Sequence, residues 1–204
     1  MRVSVAILVL GLAGPVSAQS VQLTPPEYLA PQYLAAPNAP SRIVIAGPEE
    51  PGERLVVTGR VIYGSTPVAG ASVFVFHTDL HGAYAPGLSG NDAEMNPRLR
   101  GTLRTDSEGR YEFSTIRPGS YDNNAAHVHY VVVAPGYKPR IFELEFQDDP
   151  VLIRRRQAGA EQIPQSLRNT PAYKLAPDSI TIRPVVKDAA GTWQAVRDLD
   201  MIRE

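Results

Sequence analysis

An all-β sandwich of short, mainly antiparallel strands with long loops is the fold class that this sequence predicts, and three observations carry the prediction. Runs rich in β-branched and aromatic residues recur from Arg54 to the C-terminus. Gly-, Pro- and Asp-bearing turns punctuate them at close spacing, and only Val151 to Arg168 permits a helix.

The elements follow in order. Met1 to Ala18 reads as a cleavable export signal: Arg2 in the n-region, an apolar run from Val5 to Ala13, a Gly14-Pro15 break and small residues in Val16-Ser17-Ala18 place the cut before Gln19. The run is too short for a stable membrane anchor. From Gln19 to Glu53, Pro25, Pro26, Pro31, Pro37, Pro40, Pro48 and Pro51 interrupt any periodicity, so this stretch reads as an extended leader or linker able to drape over the domain. The domain itself spans 54–204.

Within it, Leu55 to Ile62 and Ala71 to His77 read as strands on either side of a Gly64-Ser65-Thr66-Pro67 turn. Gly101 to Thr105, Arg110 to Thr115, His127 to Ala134 and Arg140 to Phe146 follow. Asp106-Ser107-Glu108-Gly109 should close a tight hairpin, because aspartate bonds its own turn backbone and glycine accepts positive φ. Ser179 to Val186 and Thr192 to Met201 flank Lys187 to Gly191 as one more hairpin. Leu55, Val57, Val61, Val73, Val75, Phe113, Val131, Val133 and Phe146 are the expected core, together with Tyr111 from the same alternation as Phe113.

Composition excludes several functions. The chain carries 20 Lys+Arg and 21 Asp+Glu; loss of Arg2 with the signal leaves 19 against 21, a balance of −2. There is no global basic field for nucleic acid. There is no cysteine, which rules out thiolate chemistry, Cys-ligated zinc and iron–sulfur clusters, and disulfide stapling.

The chemistry concentrates between Tyr84 and His129. On a strand residues i and i+2 share a face, so His127 and His129 direct two imidazoles at one point. Alone, a His-x-His pair is more often structural or solvent-facing than a metal site. Its neighbours change the reading. Tyr121 follows a Pro118-Gly119 turn that aims the phenol back towards the His strand, and Tyr84 sits in the long loop after His77. Phenolates are hard anionic donors that favour ferric over ferrous iron, and imidazole binds either. Deprotonating phenols of pKa near 10 calls for a highly charged cation.

Through these residues the sequence resembles the intradiol ring-cleavage dioxygenases, the family of protocatechuate 3,4-dioxygenase and catechol 1,2-dioxygenase. The resemblance runs from about Leu55 to Pro150, through Gly59-Arg60-Val61, Pro67-Val68-Ala69-Gly70-Ala71, Phe76 to Tyr84, Arg100-Gly101, Thr105 to Phe113, Thr115 to Tyr121, His127-Val128-His129 and Leu144-Glu145-Phe146 before Asp148-Asp149-Pro150. It implies Fe(III) held by Tyr84, Tyr121, His127 and His129, with Tyr84 the ligand that leaves when substrate binds and Tyr121 the one that stays. It implies a catechol-type substrate opened with O2 between its hydroxylated carbons. The charge balance, by contrast, argues against nucleic acid, and the export signal predicts a periplasmic or secreted protein with no membrane attachment once it is cleaved. Two departures stand out. The arginine that the family places three residues before the first histidine is here Asn124, and the Tyr121–His127 segment is shorter. Arg98, Arg100, Arg117 and Arg140 are the candidates to replace the missing charge.

A rival reading belongs to another class. Gly-x-Val, Pro-Val-Ala-Gly-Ala and Thr-Asp-x-x-Gly-x-Tyr-x-Phe also recur in non-catalytic transthyretin-like and carboxypeptidase-regulatory-like sandwiches, and fold likeness does not separate the two. The combination of Tyr84 with His127 and His129 does. His77 and His81 are read as near the loop but solvated, and Arg154-Arg155-Arg156 as a solvated face.

Overall fold

A computed structural model describes residues 31–88, 94, 96–158 and 180–204. The expected export signal lies outside the described residues, as does any helix beyond residue 158. Two sheets form the body. The first runs β1 (Arg42–Val44), β6 (Arg110–Ile116), β2 (Arg54–Tyr63), β12 (Trp193–Val196) and β11 (Val186–Lys187), with β3 (Thr66–Pro67) and β13 (Leu199–Asp200) also on β2. The second runs β10 (Ile180–Arg183), β9 (Arg140–Phe146), β7 (His127–Val133), β4 (Ser72–His77) and β5 (Leu99–Arg104). A small ladder joins β8 (Tyr137–Lys138) to β14 (Ile202–Arg203).

The centres of both sheets are antiparallel as expected. Four pairs are parallel: β1 on β6, β10 on β9, and β12 and β13 on β2. Each joins segments far apart in sequence, where no tight turn imposes the antiparallel direction. The proline-rich stretch supplies one of them. Arg42, Ile43 and Val44 register with Glu112, Phe113 and Ser114, while Ala35 and Ala46 are buried.

The Asp106 turn forms as its chemistry predicts. Its carboxylate accepts from the Glu108 and Arg110 amides at 2.9 and 2.8 Å, and Gly109 takes φ +70°. It does not close a hairpin within one sheet, however. β5 pairs with β4 and β6 with β2, so the turn carries the chain from one layer to the other. The Lys187–Gly191 hairpin does form, between β11 and β12, with Asp188 accepting from Ala190 and Thr192. The strand expected before it is split, because β10 belongs to the opposite sheet.

The core lies between the layers. Leu55, Val57, Val61, Tyr111 and Phe113 meet Val73, Val75, Leu103, Val128, Tyr130, Val132, Phe142, Leu144 and Phe146. Val131 and Val133 are not in it. Residues 127, 129, 131 and 133 share one face of β7, so a strand that turns both histidines outward turns these valines outward too. Val131 is buried in a second cluster with Phe74, Phe76 and Tyr84 on the outer face, and Val133 is half-buried. Every residue of β4 is buried because both its faces are covered, which erases the usual alternation. An α-helix, α1 (Pro150–Gln157), starts on Asp149 with Pro150 at its first position, a favourable N-terminal pair.

Candidate metal centre

The outer face of the second sheet carries the site, and three segments deliver its side chains. β7 supplies the floor. Register places His129 beside Phe76 on β4 and Glu143 on β9, and His127 beside Glu145. The Phe76 ring stacks on His129 at 4.4 Å with 10° between planes, which holds the imidazole upright. Nδ1 of His127 lies 2.7 Å from the Ala125 carbonyl. A carbonyl can only accept, so the ring proton is on Nδ1 and Nε2 presents a lone pair. Nδ1 of His129 faces the Glu143 carboxylate at 3.7 Å, and its Nε2 points to the same place as that of His127.

Tyr84 arrives on the loop after β4. Asp79 shapes that loop: its carboxylate accepts from the His81 and Ala83 amides at 2.9 and 3.0 Å, and its carbonyl accepts from Gly82 and Gly119. Tyr121 arrives on the β6–β7 connection, where Tyr121 and Asn124 bond each other's backbone at 2.8 and 3.2 Å. The short Tyr121–His127 segment thus closes as a tight turn, with Asp122 at φ +49°. The two tyrosine loops cross at Gly82 and Gly119. A Cβ on Gly82 would stand 2.5 Å from the Ser120 carbonyl, and one on Gly119 would stand 2.4 Å from that of Leu80.

Four donor atoms converge as a result. Tyr84 Oη lies 2.7 Å from His129 Nε2, 3.3 Å from His127 Nε2 and 3.3 Å from Tyr121 Oη. The two Nε2 atoms are 2.9 Å apart. Two imidazole nitrogens facing each other at that distance, beside two phenol oxygens, are the arrangement a cation resolves. Electrostatics agree. Burial holds the Tyr84 phenol far above the ordinary tyrosine range, with the fields of Tyr121, Glu94 and Glu143 adding to it. Burial likewise raises Tyr121 and drives His129 well below the usual imidazole range. Low dielectric therefore keeps the phenols and the His129 imidazole neutral, the carboxylates adding to this at the phenols and His127 and His77 adding to it at His129. Among the described residues no group of three or more His, Cys, Asp or Glu side chains offers another metal site.

The remaining candidates fall elsewhere. His77 is fully buried rather than solvated, donating from Nδ1 to the Thr78 carbonyl and accepting at Nε2 from the Thr115 hydroxyl, both at 2.7 Å. His81 is exposed, as are Arg154 and Arg156, while Arg155 is half-buried. Arg98 is held by Glu50, Arg117 by Asp148 with its guanidinium over Trp193, and buried Arg140 by the Asp200 carbonyl. Arg100 registers with Phe76, placing it in the cross-strand row of His129, and its guanidinium donates to the Pro97 carbonyl. Asp79, Glu143 and Phe76 were not anticipated. Asp79 sits in an Asp-x-x-Gly turn signature that could have been read; the other two are pure register.

Comparison with known proteins agrees with this architecture. The dioxygenase family model matches residues 24–167. The chain is 38% identical over 112 residues to the protocatechuate 3,4-dioxygenase beta chain of Burkholderia cepacia, covering 50% of this chain and 48% of that one. It is 30% identical over 149 residues to catechol 1,2-dioxygenase 2 of Acinetobacter lwoffii, covering 63% and 53%. The chain thus spans about half the length of the curated relatives it matches. Its fold is shared with the dioxygenase domain of a dioxygenase–carbohydrate-binding fusion from Streptomyces sp. SirexAA-E, at TM-score 0.58 and 22% identity over 84% of this chain and 94% of that one. With the fold, the ordered motifs and the family match in agreement, the chain belongs to the intradiol ring-cleavage dioxygenase family.

Proposed function

We propose that this chain is an exported, non-haem ferric dioxygenase that opens catechol-type rings between their two hydroxylated carbons, both atoms of O2 entering the product. One observation carries the reading: the hydroxyls of Tyr84 and Tyr121 and the Nε2 atoms of His127 and His129 meet at one point. Two hard anionic oxygens with two imidazoles suit Fe(III). When bound, the ferric ion would chelate both catechol oxygens and make the ring reactive towards O2.

The chain's own residues have definable tasks. Tyr121 is tied at its backbone into the turn with Asn124 and is suited to stay on the metal. Tyr84, whose burial makes its phenolate a strong base, is suited to leave and take a substrate hydroxyl proton on its Oη. Phe76 and Glu143 keep His129 in place. The compact turn at Asn124, lacking the arginine expected there, supports a more open site that accepts substituted or larger catechols. A non-catalytic sandwich would have no use for these four donors in one place.

The test is direct. Purified mature protein should start at or near Gln19, hold about one iron per chain, show a red-brown phenolate-to-iron band, and consume oxygen with catechols. His127→Ala and His129→Ala should each remove the iron and the band. Full iron and colour in both variants would refute the ligand assignment, and a colourless wild type after ferric loading would refute the function.

A further inference from the structure

Asp149 does more than cap a helix. The residue is 3% exposed, and its carboxylate divides its two oxygens between separate jobs. Oδ1 accepts from the Val151 and Leu152 amides at 2.8 and 3.1 Å, the ordinary N-cap arrangement of α1. Oδ2 turns the other way, accepting from the Ser120 hydroxyl at 2.6 Å and the Ala126 amide at 3.2 Å. Ser120 directly precedes Tyr121, and Ala126 directly precedes His127. One carboxylate oxygen thus holds a side-chain hydroxyl and a backbone amide just ahead of two of the four converging side chains, at both ends of the shortened segment.

The geometry points to Asp149 as a positioning residue that sets the Tyr121–His127 separation, through Ser120 and Ala126. This rests on the reading of Tyr121 and His127 as metal ligands. The physical case is that the segment between them is brief, 122–126, and the backbone bonds of its turn run between Tyr121 and Asn124 within the same connection. Something outside must fix that turn on the sheet. A buried charge-assisted bond to Ser120 and a buried amide bond to Ala126 do so, and the Tyr121 and His127 rings stand 5.9 Å apart as a consequence. The helix serves as an anchor, because its first turn holds Asp149 through the other oxygen.

Substitution can separate the two jobs. Asn caps helices about as well as Asp, so Asp149→Asn keeps an oxygen for α1 while its amide nitrogen cannot accept from Ser120 or Ala126. Ser120→Ala removes the Tyr121 side alone, and Ser120→Thr preserves the hydroxyl. In the metal-free proteins, NMR cross-peaks between the Tyr121 and His127 rings should be present in wild type and Ser120→Thr. They should be weakened in Ser120→Ala and lost in Asp149→Asn, with circular dichroism reporting folded protein throughout. After ferric loading, Asp149→Asn should yield its iron at about tenfold lower chelator concentration with a shifted band, and the double variant should be no worse than Asp149→Asn. Unchanged cross-peaks in folded Asp149→Asn and Ser120→Ala would overturn the inference and leave Asp149 a helix cap. Wild type that shows the cross-peaks yet binds no iron would overturn the proposed function and leave the positioning role standing.

Discussion

Asn124 is the residue on which the chemistry turns most sharply. Its side chain stands where the family resemblance places an arginine, and its backbone closes the tight turn with Tyr121. A cation there would act on charge that develops only as the ring reacts, so its absence should reduce turnover more than binding. Asn124→Arg should raise turnover on unsubstituted catechol by about 10- to 100-fold, on the scale of one charged contact, with little change in KM. Steady-state oxygen uptake checks this. Fast wild-type turnover with no gain from the variant would show that another cation already acts there. Arg100, in the row of Phe76 and His129, is then the one to replace.

At the level of elements, the decisive contact is the crossing of the two tyrosine loops. Gly82 has φ +81° and no room for a Cβ, whereas Gly87 has φ +75° and open space around it. The pair separates backbone strain from close approach. Gly87→Ala should cost about 1 kcal/mol, the penalty of positive φ alone. Gly82→Ala should cost more, roughly 2–4 kcal/mol, because the Ser120 carbonyl and Tyr121 must also move, and it should weaken metal retention as Gly87→Ala does not. Urea midpoints of the metal-free proteins measure the first difference. Equal losses in the two variants would mean that the loops do not need to touch.

For the molecule as a whole, the interior contains a titratable group that the chemistry does not use. Burial lowers His77 from 6.5 to about 4, only partly opposed by the Thr78 carbonyl and the field of Glu50, while His127 and Arg98 push it further down. The folded protein keeps it neutral, and the unfolded chain protonates it near pH 6.5. Between pH 6.5 and 4 the unfolded state therefore binds more protons, and stability falls as pH falls through that window. Above pH 6.5 both forms are neutral and the contribution is flat. The total is about 3 kcal/mol. His129 is depressed for the same reason and adds loss of the same sign in metal-free protein, so the test compares slopes. Metal-free His77→Gln should lose less stability than wild type between pH 6.5 and 4.5; identical slopes would exclude His77 as the source.

Much of this protein was legible in one dimension. Period-two patterning and turn chemistry placed the strands, since a half-covered strand must alternate and a turn needs Asp or Gly where φ demands it. Spacing within β7 put His127 and His129 on one face. Motif order named Tyr84 and Tyr121 as their partners. The fold itself decided what lies across gaps in sequence. The Asp106 turn looks like a hairpin from its residues, but the two sheets separate there because each flanking strand finds its partner elsewhere. Val131 and Val133 read as core for their side chains alone, yet the face that turns the histidines outward carries them along. The crossing at Gly82 and Gly119, the burial of His77 and the double grip of Asp149 all depend on segments tens of residues apart. Local sequence encodes propensity, periodicity and reach; which distant groups meet is set only when the whole chain buries its core.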